Sequence, residues 1–300
     1  MSDLAPESFR CGLVALGGPT NVGKSTLLNQ LVGRKITIVS PRPQTTRRRI
    51  MGVRNEPDAQ FVFVDMPGLH LPRGLLNQRM TALARRCMAE ADVVVGMIEA
   101  GPSLSAQDKT FLNELRAYKI PKIVAINKID RVKRASFLPQ LEECAQVIPE
   151  AELVPISALT GENLSRLLDV IKQFLPFRPP LMPPDVYTDQ TERMLAEEII
   201  REKLFLTLHE EVPFSTAVKI EEFTLDQDKN LLRISAVVIV ERESQKGIVI
   251  GAGGQRLKQI GQSAREELEL LFNRKVFLSL LVKVEKNWTK DPRKVSELAI

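Results

Sequence analysis

Residues Gly18-Pro19-Thr20-Asn21-Val22-Gly23-Lys24-Ser25, with Thr26 behind them, match the pattern G-x-x-x-x-G-K-[ST]. No other stretch narrows the possible folds as much, because the pattern works only between a strand and a helix. The sequence supplies both. The apolar run Leu13-Val14-Ala15-Leu16 reads as a buried strand, and Thr26-Leu27-Leu28-Asn29-Gln30-Leu31 opens a helix. Glycines let the main chain wrap a phosphate with its N–H groups pointing inward. The helix N-terminus adds partial positive charge. In that setting Lys24 reaches the β and γ phosphates of a nucleotide, and the Ser25 hydroxyl takes a place on Mg²⁺. A chance glycine-rich turn would account for the loop but not for both flanking elements.

Strand and helix signals alternate from Cys11 to about Phe174, which predicts an α/β domain around a mostly parallel, six-stranded sheet. Strands are expected at 11–17, 48–54, 60–65, 92–98, 122–127 and 152–156, and helices near 24–31, 75–89, 105–117, 136–147 and 163–174. The polar stretch from Gly33 to Arg47 shows no periodicity, and a loop of that length is usually functional. Five prolines between Pro176 and Pro184 read as an extended linker. The expected division is a domain over 1–178, a proline-rich linker over 179–190 and a second domain over 191–300.

Composition sets the outer limits. At 44% hydrophobic and 26% charged, the chain can bury a sizeable core, and no apolar run approaches the roughly 20 residues of a membrane span. The first residues lack the basic and apolar regions of a secretory signal. Cys11, Cys87 and Cys144 are scattered, as expected of buried thiols in a reducing compartment, so a cytosolic location is expected. Charge is uneven beyond the prolines. Residues 185–228 hold 4 basic and 12 acidic groups, whereas 242–294 hold 12 basic and 6 acidic. A polyanion is therefore expected on one face of the second domain only.

Four further segments complete a nucleotide site. Phe61-Val62-Phe63-Val64-Asp65 is a buried-type strand ending in a carboxylate, followed by Met66-Pro67-Gly68. An aspartate there can hold the magnesium shell, and the glycine lets a backbone N–H approach a γ-phosphate. Asn127-Lys128-Ile129-Asp130 closes another apolar strand, at the sheet end where α/β folds bind ligands. The Asp130 carboxylate can accept from N1–H and the 2-amino group of guanine. Adenine offers neither donor, so such a site discriminates by ~10⁴ or more. Lys128 would lie along the base, and Asn127 would tie this strand end to the phosphate loop. Ser157-Ala158-Leu159 can offer a backbone N–H to the guanine O6. Thr45-Thr46 lies in the long loop, and one hydroxyl, Thr46 by preference, could complete the magnesium shell beside Ser25.

In this order the segments resemble those of the translation-factor-like GTPases. Together with Pro43-Gln44-Thr45-Thr46-Arg47, Asp65-Met66-Pro67-Gly68-Leu69-His70 and the second domain, they resemble the Era family of ribosome-assembly GTPases. The resemblance runs from about Cys11 to Lys286. It implies a GTP-binding, GTP-hydrolysing switch that binds GTP and GDP with Mg²⁺ held by Ser25, Thr46 and Asp65. Lys24, Thr46 and Gly68 would form the catalytic group. It also implies binding to a single-stranded segment of 16S rRNA in assembly of the 30S subunit, a monomeric state, and a peripheral association with the inner membrane. Two positions depart from the family pattern: Pro19 stands one place early before Thr20-Asn21, and Met66 replaces a threonine. Leu69 occupies the place where Ras-like GTPases carry a water-orienting glutamine, so slow intrinsic hydrolysis is expected. Related GTPases with an apolar residue there and an asparagine at the place of Asn21 can use K⁺ beside the phosphates.

The second domain reads as helix, two strands, loop, helix, strand. Gly251-Ala252-Gly253-Gly254, between the strand-like run Gly247-Ile248-Val249-Ile250 and a basic-headed helix, resembles the G-x-x-G loop of KH domains. The resemblance implies an α+β domain of the bacterial, type II KH variety, whose loop clamps about four backbone nucleotides. Lys246, Arg256 and Lys258 can neutralise the phosphates there. Trp288 sits in a basic tail with Lys286, Lys290, Arg293 and Lys294, and it is expected to pack on its own domain. Two other classes compete. A P-loop kinase is disfavoured by the Asn127–Asp130 motif. A membrane-associated signalling GTPase, with the second domain as adaptor, is disfavoured by the glycine loop.

Overall fold

The computed structural model describes residues 8–40, 42, 45–68 and 74–298. The chain forms two compact units. The first comprises residues up to 37, 46–71 and 80–189, and the second comprises 38–45, 72–79 and the residues from 190 onward.

In the first unit, six strands form one sheet: β1 (Arg10–Gly17), β2 (Ile50–Glu56), β3 (Ala59–Asp65), β4 (Val93–Glu99), β5 (Lys122–Asn127) and β6 (Glu152–Pro155). Their spatial order is β2-β3-β1-β4-β5-β6, and only the β2–β3 pair is antiparallel. The helices α1 (Lys24–Val32), α2 (Gly74–Glu90, its residues 74–79 counted with the second unit), α3 (Ala106–Arg116), α4 (Leu138–Val147) and α5 (Leu164–Phe174) alternate with them in the chain. Because side chains alternate along a strand, β1 feeds two cores. Val14 and Leu16 join Leu27, Phe61, Leu167 and Ile171 on one face, while Ala15 joins Ile98, Phe111 and Leu115 on the other. Burial on both faces explains why these strands read as unbroken apolar runs. The parallel strands all end on one side, and there the motif residues collect.

The proline-rich stretch expected to be an extended linker is tied to this unit through residue 189. Cys11 N–H donates to Pro176 O (3.0 Å) and Arg178 N–H to Phe9 O (3.1 Å). Farther on, Val53 N–H donates to Tyr187 O (2.9 Å) and Met51 N–H to Asp189 Oδ1 (2.9 Å), which covers the free edge of β2. Between these anchors sits Gln60, a buried side chain of β3. Its Oε1 accepts from Leu181 N–H (2.8 Å) and Met182 N–H (2.9 Å), and its Nε2 donates to Met182 O (2.7 Å). Proline composition indicates the extended backbone but carries no information about these partners.

The second unit holds α6 (Glu192–Thr207), β7 (Ala217–Asp226), β8 (Leu231–Val240), α7 (Glu243–Ile250), α8 (Gln255–Phe272), β9 (Lys275–Val284) and α9 (Pro292–Leu298). Its sheet runs β7-β8-β9, antiparallel then parallel. Residues of α6 and α8, including Ile199, Leu204, Ile260, Ala264 and Leu268, share a core with Ile220, Ile234, Ala236 and Val238 of the sheet. One element departs from expectation. The apolar run ending at Ile250 is helical, not strand-like. The Gln245 side-chain carbonyl caps its start by accepting from Glu241 N–H (2.9 Å) and Arg242 N–H (3.1 Å), and Val249 alone of the run is fully buried. Trp288 is buried, with Nε1–H donating to Ser215 O (2.9 Å), so it packs on its own domain.

Gln60→Ala leaves two backbone N–H groups and a carbonyl of the strap without partners. Denaturant unfolding should show the first unit destabilised by about 3 kcal/mol.

Candidate functional site

The phosphate-loop residues join the C-terminal end of β1 to the first turn of α1. Gly23 lies in the left-handed region (φ 105°), and a Cβ there would meet Asn127 Nδ2 at 2.4 Å. That contact is the mark of a clasp. Asn127, at the end of β5, donates from Nδ2 to Val22 O (2.8 Å) and accepts at Oδ1 from Ala158 N–H (2.8 Å). One buried amide thereby joins the phosphate loop, the end of β5 and the Ser157-Ala158-Leu159 turn. Pro19 is buried, and Asn21 is exposed with φ 63°.

Lys24 is fully enclosed, and its Nζ donates to Pro19 O (2.8 Å) and Gly18 O (3.2 Å). Burial pushes its pKa down to about 8, although Asp65 pulls the other way. Asp65, at the end of β3, has no exposed surface. Burial raises its pKa, opposed by Lys24 and by hydrogen bonds from Ser25 and Thr46. Three oxygens converge here: Ser25 Oγ donates to Asp65 Oδ2 (2.7 Å), Thr46 Oγ1 donates to the same atom (3.3 Å), and the two hydroxyls lie 3.0 Å apart. Asp65 Oδ1 is buried with no hydrogen-bond partner among the described residues. An all-oxygen set with an unsatisfied carboxylate oxygen suits a small hard cation. The Thr45 hydroxyl is engaged differently, donating to Arg42 O (2.8 Å).

Gly68 is buried beside Lys24. A Cβ on it would meet Thr20 Cγ2 at 2.9 Å and Lys24 Nζ at 3.2 Å, so the close approach needs glycine. Met66 is fully buried, and it packs in the core that also contains Val64 and Ala84. Leu69 and His70, and Pro43 and Gln44 of the long loop, lie outside the described residues.

At the other end of the site, Asp130 Oδ1 accepts from Ser157 Oγ–H (2.6 Å), and that hydroxyl oxygen accepts in turn from Thr160 N–H (3.1 Å). Ile129 follows Lys128 in a short helical turn, with Lys128 in the left-handed region (φ 70°). Two residues that the motifs do not flag help position this frame. Glu99, at the end of β4, pairs with Lys128 Nζ (2.5 Å). Asn29 of α1 accepts from Ile36 N–H (2.9 Å) and Thr37 N–H (3.1 Å), which fixes the start of the long loop. Neither stands in a motif; only a strand-end position for Glu99 and a helical location for Asn29 could have pointed to them.

The second unit carries its own candidate site. Gly251 ends α7, and Ala252-Gly253-Gly254 forms a turn that leads into α8. Beside it lies a recess of about 500 Å³ lined by Gly254, Leu257, Lys258, Gly261, Gln262, Arg265, Leu278 and Leu280. The floor is apolar and the cations stand at the rim. Lys246 and Arg256 are outside this lining, and Arg256 Nη1 is folded back onto Ile248 O (2.5 Å). The motif residues include only Gly254 and Lys258 of this lining. Helical spacing from Gly254 through Lys258 to Gln262 and Arg265 would have placed those residues on one face.

A phosphate loop, an oxygen-lined pocket and the Asn127–Asp130 segment at a strand end of a doubly wound sheet define a P-loop GTPase domain, and the second unit has the element order and glycine loop of a KH domain. Comparisons with known proteins agree. A family profile described as "50S ribosome-binding GTPase" matches residues 13–128, and one described as "KH domain" matches 211–289. The protein called GTPase Era from Syntrophus aciditrophicus is 45% identical over 289 residues, covering 96% of this chain and 94% of that one. GTPase Era from Pseudomonas aeruginosa is 42% identical over 300 residues, covering 99% and 97%. A crystal structure of Era in complex with MgGDPNP and nucleotides 1506–1542 of 16S ribosomal RNA superposes with a TM-score of 0.92 at 44% identity, covering 96% of this chain and 98% of that one. A variant of Aquifex aeolicus Era bound to GDP and aluminium fluoride gives 0.91 at 44% identity, with the same coverage. The chain belongs to the Era family of GTPases.

Burial of Lys24 couples folding to pH. Between about 8, its pKa in the folded chain, and 10.5, its ordinary value, the unfolded state holds a proton that the folded state has released. Stability therefore rises with pH across that window. Relative to Lys24→Met, the wild-type chain should gain up to about 3 kcal/mol of unfolding free energy between those limits, measured by denaturant titration at several pH values.

Proposed function

We propose that this chain is a GTP-driven switch that binds a single-stranded segment of 16S rRNA through its KH unit and acts in assembly of the 30S subunit. The observation that carries the nucleotide half is the pocket formed by Ser25, Thr46 and Asp65 beside the phosphate loop, with Asp65 Oδ1 buried and unpartnered. Mg²⁺ fits that donor set, and when bound it would offset charge on the β and γ phosphates. Lys24 would leave the carbonyls of Gly18 and Pro19 to meet the phosphates, and Gly68 N–H would approach the γ-phosphate. The RNA half is supported by the related Era structure that holds MgGDPNP and a 16S rRNA segment. K⁺ near the exposed Asn21 belongs to the same reading. So do monomeric action in the cytoplasm and, as a competing reading, peripheral contact with the inner membrane. Among the described residues no helix is long and apolar enough to cross a membrane.

Asp130 faces the base in this reading, oriented by Ser157. Asp130→Asn should abolish the ~10⁴ preference for guanine and favour xanthosine triphosphate, whose C2 oxygen needs a donor. Nucleotide competition assays measure this directly. A variant that still prefers GTP would show that the motif does not read the base.

For the RNA half, the loop offers a clean substitution. Gly253 lies at φ 57°, a left-handed conformation that aspartate adopts more readily than most residues though at some strain, and a Cβ there meets nothing within 4 Å. Ala252→Asp with Gly253→Asp should therefore fold while placing two carboxylates where phosphate must lie. RNA affinity should fall by ~100-fold or more, with GTP binding and the melting midpoint retained. Full RNA affinity in the folded variant would remove the KH loop from the binding site.

A further inference from the structure

Beyond the glycine loop, the second unit carries a second basic surface that the nucleotide and KH motifs leave unused. Lys286, Asn287, Lys290, Asp291, Pro292 and Arg293 line a shallow recess of about 580 Å³. Its three cations are exposed, and none forms an ion pair with any described residue. The nearby carboxylates Asp291, Glu285 and Glu241 each have partners of their own. Asp291 Oδ1 accepts from Arg293 N–H (2.8 Å) and Lys294 N–H (3.3 Å), and Glu285 takes Lys283 (2.8 Å) and Lys294 (2.6 Å). Those two cations hold the Glu285 carboxyl down to about 2. Three cations against the single Asp291 carboxylate leave the lining net positive.

It is also held in place. Trp288, buried beneath it, donates to Ser215 O (2.9 Å), and Thr289 donates to Glu241 Oε1 through its hydroxyl (2.6 Å) and its N–H (3.3 Å). Glu241 stands two residues before α7, and the glycine loop follows directly at the other end of that eight-residue helix. The helix α7, roughly 12 Å long at 1.5 Å per residue, thus runs from the segment that anchors the recess to the glycine loop, a span that one RNA strand can cover. We propose that Lys286, Lys290 and Arg293 form a second phosphate-binding site on the KH unit, which grips the RNA backbone beyond the nucleotides clamped by the glycine loop. This rests on the RNA-binding reading above. A lipid surface is the weaker occupant. Three cations fall below the clusters of four to eight that read as anionic-lipid sites, and Pro292 is the one apolar residue in the lining.

The test measures binding of the 16S rRNA segment 1506–1542 across a salt series. It uses the wild-type chain, K286Q/K290Q/R293Q, the charge-preserving K286R/K290R/R293K, and the glycine-loop aspartate variant. The glutamine variant should keep its melting midpoint and fall at least ~10-fold in affinity. Its slope of log K against log salt should be shallower by about 2, at ~0.7 for each single-strand phosphate left unneutralised. The charge-preserving variant should retain both affinity and slope. If the wild-type chain does not bind the segment, the RNA reading of the unit fails and this inference falls with it. If the glycine-loop variant loses binding while the glutamine variant keeps wild-type affinity and slope, this inference alone is overturned. Loss of binding to phosphatidylserine vesicles by the glutamine variant, with RNA binding intact, would overturn it in favour of a membrane contact.

Discussion

Lys24 and Asp65 are opposite charges removed from water at the mouth of one sheet, and the first unit is arranged around keeping them there. Taking each from water costs several kcal/mol, and mutual attraction returns that only if the remaining donors and acceptors are satisfied. Most of them are. The ammonium is held by two loop carbonyls, and one carboxylate oxygen is held by two hydroxyls from α1 and the long loop. Asp65 Oδ1 is not, among the described residues. An arrangement that tolerates one orphaned oxygen in an otherwise satisfied network is shaped for something other than stability alone. Asp65 and the two hydroxyls are already placed before a charged ligand arrives, so only Lys24 has to exchange its loop carbonyls for new partners.

The two ends of the site are joined mechanically by Asn127. Its amide bonds to the phosphate loop on one side and to the Ala158 turn on the other, while Ser157 in that same turn holds Asp130. A displacement of the base-facing end would be felt at Val22, one residue before Gly23. The close contact between Gly23 and Asn127 Nδ2 makes the coupling steric as well as polar. In the proposed reading, recognition of the base and grip on the phosphates would therefore share one frame, set by the ends of β1, β5 and β6.

Much of this frame is legible in the sequence because its parts are local. The phosphate loop, the strand-ending carboxylates and the doubly wound alternation depend on spacing and on burial of both sheet faces, which periodicity reports well. Thr46 rather than Thr45 meets Ser25, a choice the sequence favours but does not decide, since adjacent threonines in an irregular loop are equivalent on paper. What escapes depends on partners far away in the chain. Nothing around Gln60 marks it as the anchor for residues 121 and 122 positions later. The run before Gly251 reads as a strand because apolar β-branched residues favour strands, yet a Gln245 cap and one buried valine suffice for a short helix. Glu99 is a polar residue at a strand end, and only geometry shows what it holds.

In the proposed reading, the two units would handle phosphate in opposite physical regimes. In the first, a single buried lysine acts at low effective dielectric, where a charge is strong, weakly screened by salt and selective in geometry. In the second, exposed lysines and arginines work beside an apolar recess and a main-chain turn, where each contact is individually weak and added salt erodes their sum. A nucleotide of fixed shape suits the first regime, since one geometry must be met and other bases excluded. An RNA strand suits the second, because many weak contacts along a basic track give affinity without demanding one rigid pose. Trp288 then has a clear physical part. By burying its ring and tying its N–H to Ser215, it turns a short basic segment from a flexible tail into a fixed row of charges. Charges fixed in this way lose less conformational entropy when they meet a phosphate backbone.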